Sequence, residues 1–228
     1  MELKDSSLRM FLKEFHNSDK EEFSKYEISS VKELYLDSES IIDADLIDLE
    51  HFICLEKIIL KNIYVTDEIL LNICRTKNLR KISFYNCKIS NLKLLEKANI
   101  CELVIDECDF EDIYYLNNMD CLEDLYLDNN KTIDLKDLSV IKRLKKLSLS
   151  NTEVLTSEYL IYMNDIEYLS INGTGIKSIS NLVHFDKLKL LVIDGSQAIN
   201  NKELVMMMIN NGIEVVDPSN RSVVSYYE

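Results

Sequence analysis

The side chains that most often carry catalysis are scarce and scattered in this sequence. Its 228 residues include only three histidines, His16, His51 and His184. A nucleophilic Cys–His or Ser–His pair needs both side chains within hydrogen-bond reach, and no spacing here indicates such a pair. The near-metal spacing His51-x-x-Cys54 lacks the second ligand pair of a zinc site. Gly-Thr-Gly at 173–175 predicts a turn rather than a phosphate loop, so we expect no enzymatic activity, metal or cofactor.

The cysteines are the remaining reactive groups, and none follows position 121. Their spacing fits no small disulfide framework, and a chain of this size needs none, so we expect reduced thiols. Cys87 and Cys108 hold equivalent positions of adjacent units in the repeat described below, about one strand spacing (~5 Å) apart. This predicts two buried thiols in contact and leaves oxidation under stress open. The six cysteines are Cys54, Cys74, Cys87, Cys101, Cys108 and Cys121.

Composition excludes several classes of protein. Hydrophobic residues make up 46% of the chain and charged residues 29%, which is too apolar for a disordered chain. Lysine and arginine number 26 against 40 acidic residues, giving a net charge of −14. Because a nucleic-acid backbone would be repelled by most of such a surface, we expect no nucleic-acid partner. Basic proteins are the better electrostatic match.

The sequence carries no feature of a membrane or secreted protein. No run approaches the ~18 consecutive apolar residues of a membrane-spanning helix. Charges interrupt the first twenty residues, so we expect no cleaved signal peptide and no membrane partner. These observations predict a cytoplasmic protein, although export that needs no signal peptide is compatible with the same sequence.

A repeat with a period near 22 positions the remaining side chains. Each full unit reads L-x-x-L-x-L-x-x-(N/C/T/S)-x-(L/I/V/F), with one or two departures. The L-x-L alternation predicts a short strand with one buried face, and stacked units would share a continuous core. The units begin at Val31, Leu55, Leu79, Ile100, Leu122, Leu144, Ile166 and Leu188, and a truncated segment begins at Ile213.

The ninth position of each unit turns the chain away from the strand and leaves backbone groups that need partners. Most residues there are small and can hydrogen-bond locally or lie buried. Glu39 and Ile63 depart from this pattern, so we expect the first two turns to be less regular. The ninth-position residues are Glu39, Ile63, Cys87, Cys108, Asn130, Thr152, Thr174 and Ser196.

This pattern resembles the leucine-rich repeat family, over roughly four fifths of the chain. The unit length and the I-x-D/N-L-x-x-L spacer are most similar to the short repeats of bacterial internalins and of a eukaryotic protein-phosphatase regulatory subunit. The resemblance implies an α/β, right-handed solenoid with a parallel sheet on its concave face and short helices or 3₁₀ turns on its convex face. It implies architecture far more than a particular function.

Three regions follow from the repeat boundaries. Residues 1–30 lack the repeat and carry apolar residues at helical spacing (Leu3 to Phe15), with a second short helix expected at Asp19–Tyr26. This region is expected to cap the repeats, a docking or export segment being the alternative. Residues 31–216 hold about eight units and a terminal strand. Residues 217–228 form a tail.

The register also predicts which side chains face outward from the sheet, namely those at the third, fifth, seventh and eighth positions. Tyrosines ringed by charge are common at protein-binding hot spots. Exposed Ile59 and Val104 at fifth positions favour an interface, whereas the alternative is that the carboxylates only keep the surface soluble. The candidate partner-binding residues are Tyr35, Tyr85, Glu102, Asp106, Glu107, Asp124, Tyr126, Asp128, Asn129, Tyr168, Asn172 and Asp194.

The favoured function is therefore a non-enzymatic module that binds a basic protein through its concave sheet face. An alternative is a secreted bacterial effector or surface-associated virulence factor that uses the same scaffold on a host protein. We expect a monomer.

Overall fold

The computed structural model describes residues 3–38, 46–141, 143–219 and 223–226. Its backbone divides into unit 1, Met1–Leu122, and unit 2, Glu123–Glu228. Each unit is built from stacked repeats in which a short strand is followed by a helical segment.

Unit 1 contains a parallel ladder in the order β1-β2-β4-β6, and the short strands β3 and β5 pair with each other. The fourth and sixth positions of each repeat, such as Leu34 and Leu36 in the first, point into the core and are fully buried. Burial of these alternating apolar side chains therefore sets the pairing register of the strands. The strands are β1 (Glu33–Asp37), β2 (Lys57–Lys61), β3 (Tyr64–Val65), β4 (Lys81–Tyr85), β5 (Lys88–Ile89) and β6 (Glu102–Asp106).

Helix α1 (Ser6–Phe15) opens unit 1, and Asp5 caps it by accepting hydrogen bonds from the backbone N–H groups of Ser7 and Leu8. The second short helix, α2, spans Lys25–Ser29 rather than the predicted Asp19–Tyr26. Its start is set by a capping box, in which Ser24 and Glu27 bond each other's backbone N–H groups.

The helical segments that follow the strands in unit 1 vary in type. Thr66 caps the α-helix α3 (Asp67–Arg75), which the longer second repeat can accommodate. The other segments are 3₁₀ turns, which suit a spacer too short for an α-helix. They span Leu49–His51, Leu92–Lys97 and Ile113–Asn118.

Unit 2 repeats this plan with shorter strands. Its main parallel ladder has the order β7-β9-β11-β12-β13, and β8 pairs with β10. The strands are β7 (Asp124–Tyr126), β8 (Ile133–Asp134), β9 (Lys146–Ser148), β10 (Val154–Leu155), β11 (Tyr168–Ser170), β12 (Leu190–Val192) and β13 (Glu214–Val216).

The described helical segments of unit 2 are 3₁₀ turns and α-helices. The 3₁₀ turns span Leu135–Asp137, Ser157–Tyr162, Ser180–His184 and Val223–Tyr226. The α-helices are α4 (Gly195–Asn200) and α5 (Lys202–Asn210). The predicted stop after α5 is Gly212, whose φ of 85° lies in the left-handed region that glycine adopts without strain. The predicted α/β repeat architecture, with parallel strands and short helices or 3₁₀ turns, is confirmed.

The ninth positions form a buried ladder at the turns. The Thr152 hydroxyl donates to the Leu127 carbonyl at 2.7 Å and accepts from the Asn130 N–H at 3.0 Å. Ile63, predicted to disturb its turn, is buried like the others. Glu39 lies outside the described residues.

Ser196, the last ninth-position residue, makes the local hydrogen bond expected of a small side chain, from its hydroxyl to the Asp194 carboxylate at 2.6 Å, but it is not buried. Ser196 is exposed, because the chain enters α4 directly after Asp194 instead of making the usual turn. Gln197 is the buried residue that bonds the carbonyls at this turn. Its side-chain amide donates to the carbonyls of Ile171 at 2.9 Å and Ile176 at 3.0 Å.

The eighth position has a conformational role that the outward-facing prediction did not include. Six of the described residues there have φ between 48° and 71°, in the left-handed region. Asparagine and glycine adopt this region most readily, and both residue types recur at the position. Glutamate at 107, with φ 54°, is the exception. The residues are Asn62, Asn86, Glu107, Asn129, Asn151 and Gly173.

Candidate functional site

The outward face of the strands in unit 1 carries the predicted residues Tyr35, Tyr85, Glu102, Asp106 and Glu107. Tyr35 is 46% exposed, and its hydroxyl donates to the Asp37 carboxylate at 3.2 Å. Tyr85 and Asp106 are direct register partners on β4 and β6, so their side chains lie side by side. Glu107 is exposed in the turn that follows β6.

A row of fifth-position residues crosses this face of unit 1. Tyr35, Ile59, Ser83 and Val104 are consecutive register partners. Ile59 and Val104 are half-buried rather than fully exposed, and Ser83 is buried. Ser83 was predicted to lie at the surface, but its short side chain lies below the larger side chains around it. The row therefore presents apolar side chains with a depression at Ser83.

Two tyrosines dominate the same face of unit 2. The rings of Tyr126 and Tyr168 lie 6.5 Å apart at an interplanar angle of 51°. Register partners place them diagonally across β9, where Tyr126 is opposite Ser148 and Tyr168 is opposite Lys146. Both rings are half-buried and keep part of their surface available to a partner.

The remaining fifth-position side chains of unit 2 are not available to a partner, contrary to the prediction. Ser148 is 2% exposed and Ser170 is 1% exposed. Val192 is also buried. Small side chains between bulky neighbours on one sheet face lose their solvent contact even when they point outward.

A hydrogen-bonded network joins these serines to predicted site residues. One oxygen of the Asp128 carboxylate accepts from the Ser148 hydroxyl at 2.6 Å and from the Ser150 N–H at 2.7 Å. The hydroxyls of Ser150 and Ser170 lie 2.8 Å apart. The Ser170 hydroxyl in turn donates to the Asn172 side-chain oxygen at 2.8 Å. Asp128 and Asn172 therefore stabilise the sheet face.

Lysines on neighbouring strands balance two of the predicted carboxylates. Lys81 lies 2.7 Å from Glu102 in unit 1, and Lys146 lies 2.6 Å from Asp124 in unit 2. Opposite charges at directly opposed positions of a sheet attract, although exposed pairs stabilise by at most about 1 kcal/mol. The sheet face is consequently less acidic than a count of its carboxylates indicates.

Asp194 and Asn129 also have structural partners. Asp194 caps α4 by accepting from the Gln197 N–H at 3.0 Å, and its other oxygen accepts from the Gly173 N–H at 3.1 Å. Burial raises the pKa of Asp194, but hydrogen bonds from Ser196, Gln197 and Gly173 outweigh burial and hold that pKa below its usual value of 3.8. The Asn129 side chain accepts from the Asn151 amide at 3.0 Å.

A metal centre, a membrane-spanning helix and a cavity are other features that could carry a function. Over the residues that the structure describes, no group of three or more His, Cys, Asp and Glu side chains is arranged to hold a metal ion. Within those ranges there is also no helix with the length and apolarity to span a bilayer. A cavity of about 310 Å³ lies on the helical side of unit 1, lined by residues that include His51, Ile53, Arg75 and Lys77. The repeat pattern does not predict this cavity, because its lining comes from the helical sides of two successive repeats.

Three solved structures of similar fold come from bacteria. An internalin of Listeria monocytogenes matches with a TM-score of 0.65 and 15% identity, over 93% of this chain and 75% of that one. Internalin C2 of the same species matches with a TM-score of 0.58 and 14% identity, over 83% and 93%. A leucine-rich repeat protein of Leptospira interrogans matches with a TM-score of 0.58 and 20% identity, over 75% and 46%.

No protein-family model matches the sequence, and no curated protein matches it. At the identities of the solved structures, the likeness shows a shared fold.

Proposed function

Because this chain has the leucine-rich repeat fold, we propose that it is a non-enzymatic module that binds a protein through the outward face of its strands. The observation that carries this proposal is the tyrosine pair Tyr126 and Tyr168 in unit 2, with rings 6.5 Å apart on a face where no core requires them. Tyrosine supplies a large apolar contact and a hydroxyl at low entropic cost, which is why it is enriched at interface hot spots.

The surroundings of the pair support the same proposal. Lys146 and Asp124 form an ion pair beside the rings, and Asp128 is held in place by Ser148 and Ser150. A rigid apolar centre with a polar border is the usual anatomy of a protein interface. The network fixes the surface before a partner arrives, which lowers the entropic cost of association.

The test is affinity capture from a lysate, followed by mass spectrometry. Wild type is compared with Tyr126→Ala/Tyr168→Ala, after circular dichroism shows that the variant is folded. A protein captured by wild type and lost by this variant supports the sheet face as the binding surface.

The chain supplies a matched control on the other side of the same repeats. Tyr159 and Tyr162 form a second tyrosine pair in the 3₁₀ turn Ser157–Tyr162, with rings 5.7 Å apart. Tyr159→Ala/Tyr162→Ala should leave capture unchanged. Loss of capture by the control alone would move the binding surface to the helical side.

The basic character of the partner is a separate part of the proposal and rests on the net charge of −14. A basic partner would be attracted over distances comparable to the Debye length, so its association rate should fall several-fold between about 50 and 300 mM NaCl. Stopped-flow association with the captured partner measures this rate. An unchanged rate would contradict the basic partner and leave the tyrosine surface intact.

A second role, as a secreted effector or surface-associated virulence factor that binds a host protein, is favoured by the likeness to two internalins. It predicts that the native protein accumulates outside the cells that make it. Immunoblots of washed cells and cell-free supernatant, with a cytosolic enzyme as a lysis marker, test this role. Retention with the marker would contradict it.

A further inference from the structure

Cys87 and Cys108 face each other across neighbouring turns of unit 1. They are bracketed by the register pairs Tyr85–Asp106 and Lys88–Asp109. Backbone hydrogen bonds hold the two turns together on either side of the cysteines. The Asn86 N–H donates to the Asp106 carbonyl at 2.9 Å, and the Asp109 N–H donates to the Cys87 carbonyl at 2.8 Å. Adjacent strands lie about 4.8 Å apart, which falls within the roughly 4.4–6.8 Å between Cα atoms that a disulfide spans.

The Cys108 thiol also contacts the backbone of Cys87. The Cys87 N–H donates to the Cys108 Sγ at 3.3 Å. Both residues are buried, at 3% and 6% exposure, and both lie at the ninth position of their repeat. Over the described residues, the other cysteines lie at other positions of the repeat, so this pair alone combines equivalent position with adjacent strands.

The environment makes the two thiols chemically unequal. Their mutual hydrogen bond lowers the pKa of Cys87 and raises the pKa of Cys108. A thiolate is the reactive form of cysteine, so Cys87 is the better nucleophile and Cys108 the better partner to resolve an intermediate.

We propose that Cys87 and Cys108 form a site of reversible oxidation that takes a peroxide as its oxidant. The Cys87 thiol releases its proton, the thiolate attacks one peroxide oxygen and the O–O bond breaks. A sulfenic acid forms, and the hydroxide that leaves takes up the released proton and becomes water. The Cys108 sulfur then attacks the sulfenic sulfur, an S–S bond forms, and a second water leaves. In sum, two thiols and one hydrogen peroxide give one disulfide and two waters, and a dithiol reductant reverses the change.

The experiment treats the folded full chain with hydrogen peroxide, quenches with a thiol-alkylating agent and measures intact mass. The starting protein is a variant in which Cys54, Cys74, Cys101 and Cys121 are alanine. We expect a loss of two hydrogens, a tryptic disulfide peptide that joins Cys87 to Cys108, and full reversal by dithiothreitol.

The matched control is Cys108→Thr in the same background. Threonine at the equivalent position 152 accepts the neighbouring N–H as Cys108 does, so the fold should be retained while the reaction is removed. This control should stop at a sulfenic acid that dimedone traps. Absence of the disulfide in the parent variant, or its formation only in denaturant, would overturn the proposal.

Discussion

Glu107 combines a left-handed backbone with a side chain that disfavours it. It has φ 54°, and the other described residues with positive φ at this position of the repeat are asparagine or glycine. For a residue with an ordinary side chain the left-handed conformation costs on the order of 1–2 kcal/mol.

We expect Glu107→Asn to raise the free energy of unfolding by about 1 kcal/mol, because asparagine tolerates the left-handed turn. Urea unfolding followed by circular dichroism measures the change. Glu111→Asn is the control, since Glu111 is exposed and is not among the residues with positive φ. Equal effects of the two substitutions would show that charge rather than backbone conformation is responsible.

Asp194 predicts a pH-dependent contribution to stability. Its folded-state pKa lies below the usual 3.8, so the unfolded chain takes up the proton first and the contribution exists above about pH 4. Asp194→Asn should lower the free energy of unfolding by roughly 1 kcal/mol at pH 7, because one acceptor oxygen is lost. The difference should shrink as pH falls below 4. Urea titrations at pH 7, 5, 4 and 3 measure it, and Asp186→Asn, at an exposed aspartate, should show no such trend.

Sequence reasoning placed the outward residues on the correct strands but could not assign their partners. The repeat spacing puts Lys146 opposite Asp124, so the register is sufficient to predict that ion pair. The register does not predict the burial of Ser148, because that burial depends on the size of the neighbouring Tyr126 and Tyr168 side chains. Whether the candidate residues bind a partner remains a prediction.

The last repeat shows how an element changes the role of a position. Helix α4 replaces the usual turn, so Gln197 rather than Ser196 bonds the buried carbonyls. The pattern of the earlier units predicted Ser196 because a helix start at Gly195 is not visible in the leucine spacing. The capping box of Asp194 and Gln197 was the available indication.

Gln197→Met should lower the free energy of unfolding by roughly 1–3 kcal/mol, because the buried Ile176 carbonyl would lose its bond from Gln197 and the Ile171 carbonyl would keep only its bonds from Thr174. Ser196→Ala, one residue earlier and exposed, should change it by no more than about 0.5 kcal/mol. Guanidinium unfolding of both variants measures the difference. A larger effect of Ser196→Ala would show that Ser196, as the sequence pattern indicated, stabilises this turn more than Gln197 does.

At the scale of the whole molecule, charge governs solubility. The sequence carries −14 at neutral pH and has an isoelectric point near 4.7. We expect repulsion between molecules to keep the protein dispersed at pH 7 and to vanish near pH 4.7. Static light scattering between pH 4 and 8 should give the lowest second virial coefficient near the isoelectric point. A minimum above pH 6 would indicate attraction through an exposed apolar surface instead.

The register of the strands has a consequence for how the chain folds. Partners such as Leu125 and Leu147 lie 22 residues apart, and register partners in the other described repeats lie 21 to 24 residues apart. In a chain of 228 residues this separation corresponds to a relative contact order of about 0.1, which is low for a protein rich in β-structure. Each unit can therefore nucleate at any repeat and grow to its neighbours by closing one short loop at a time.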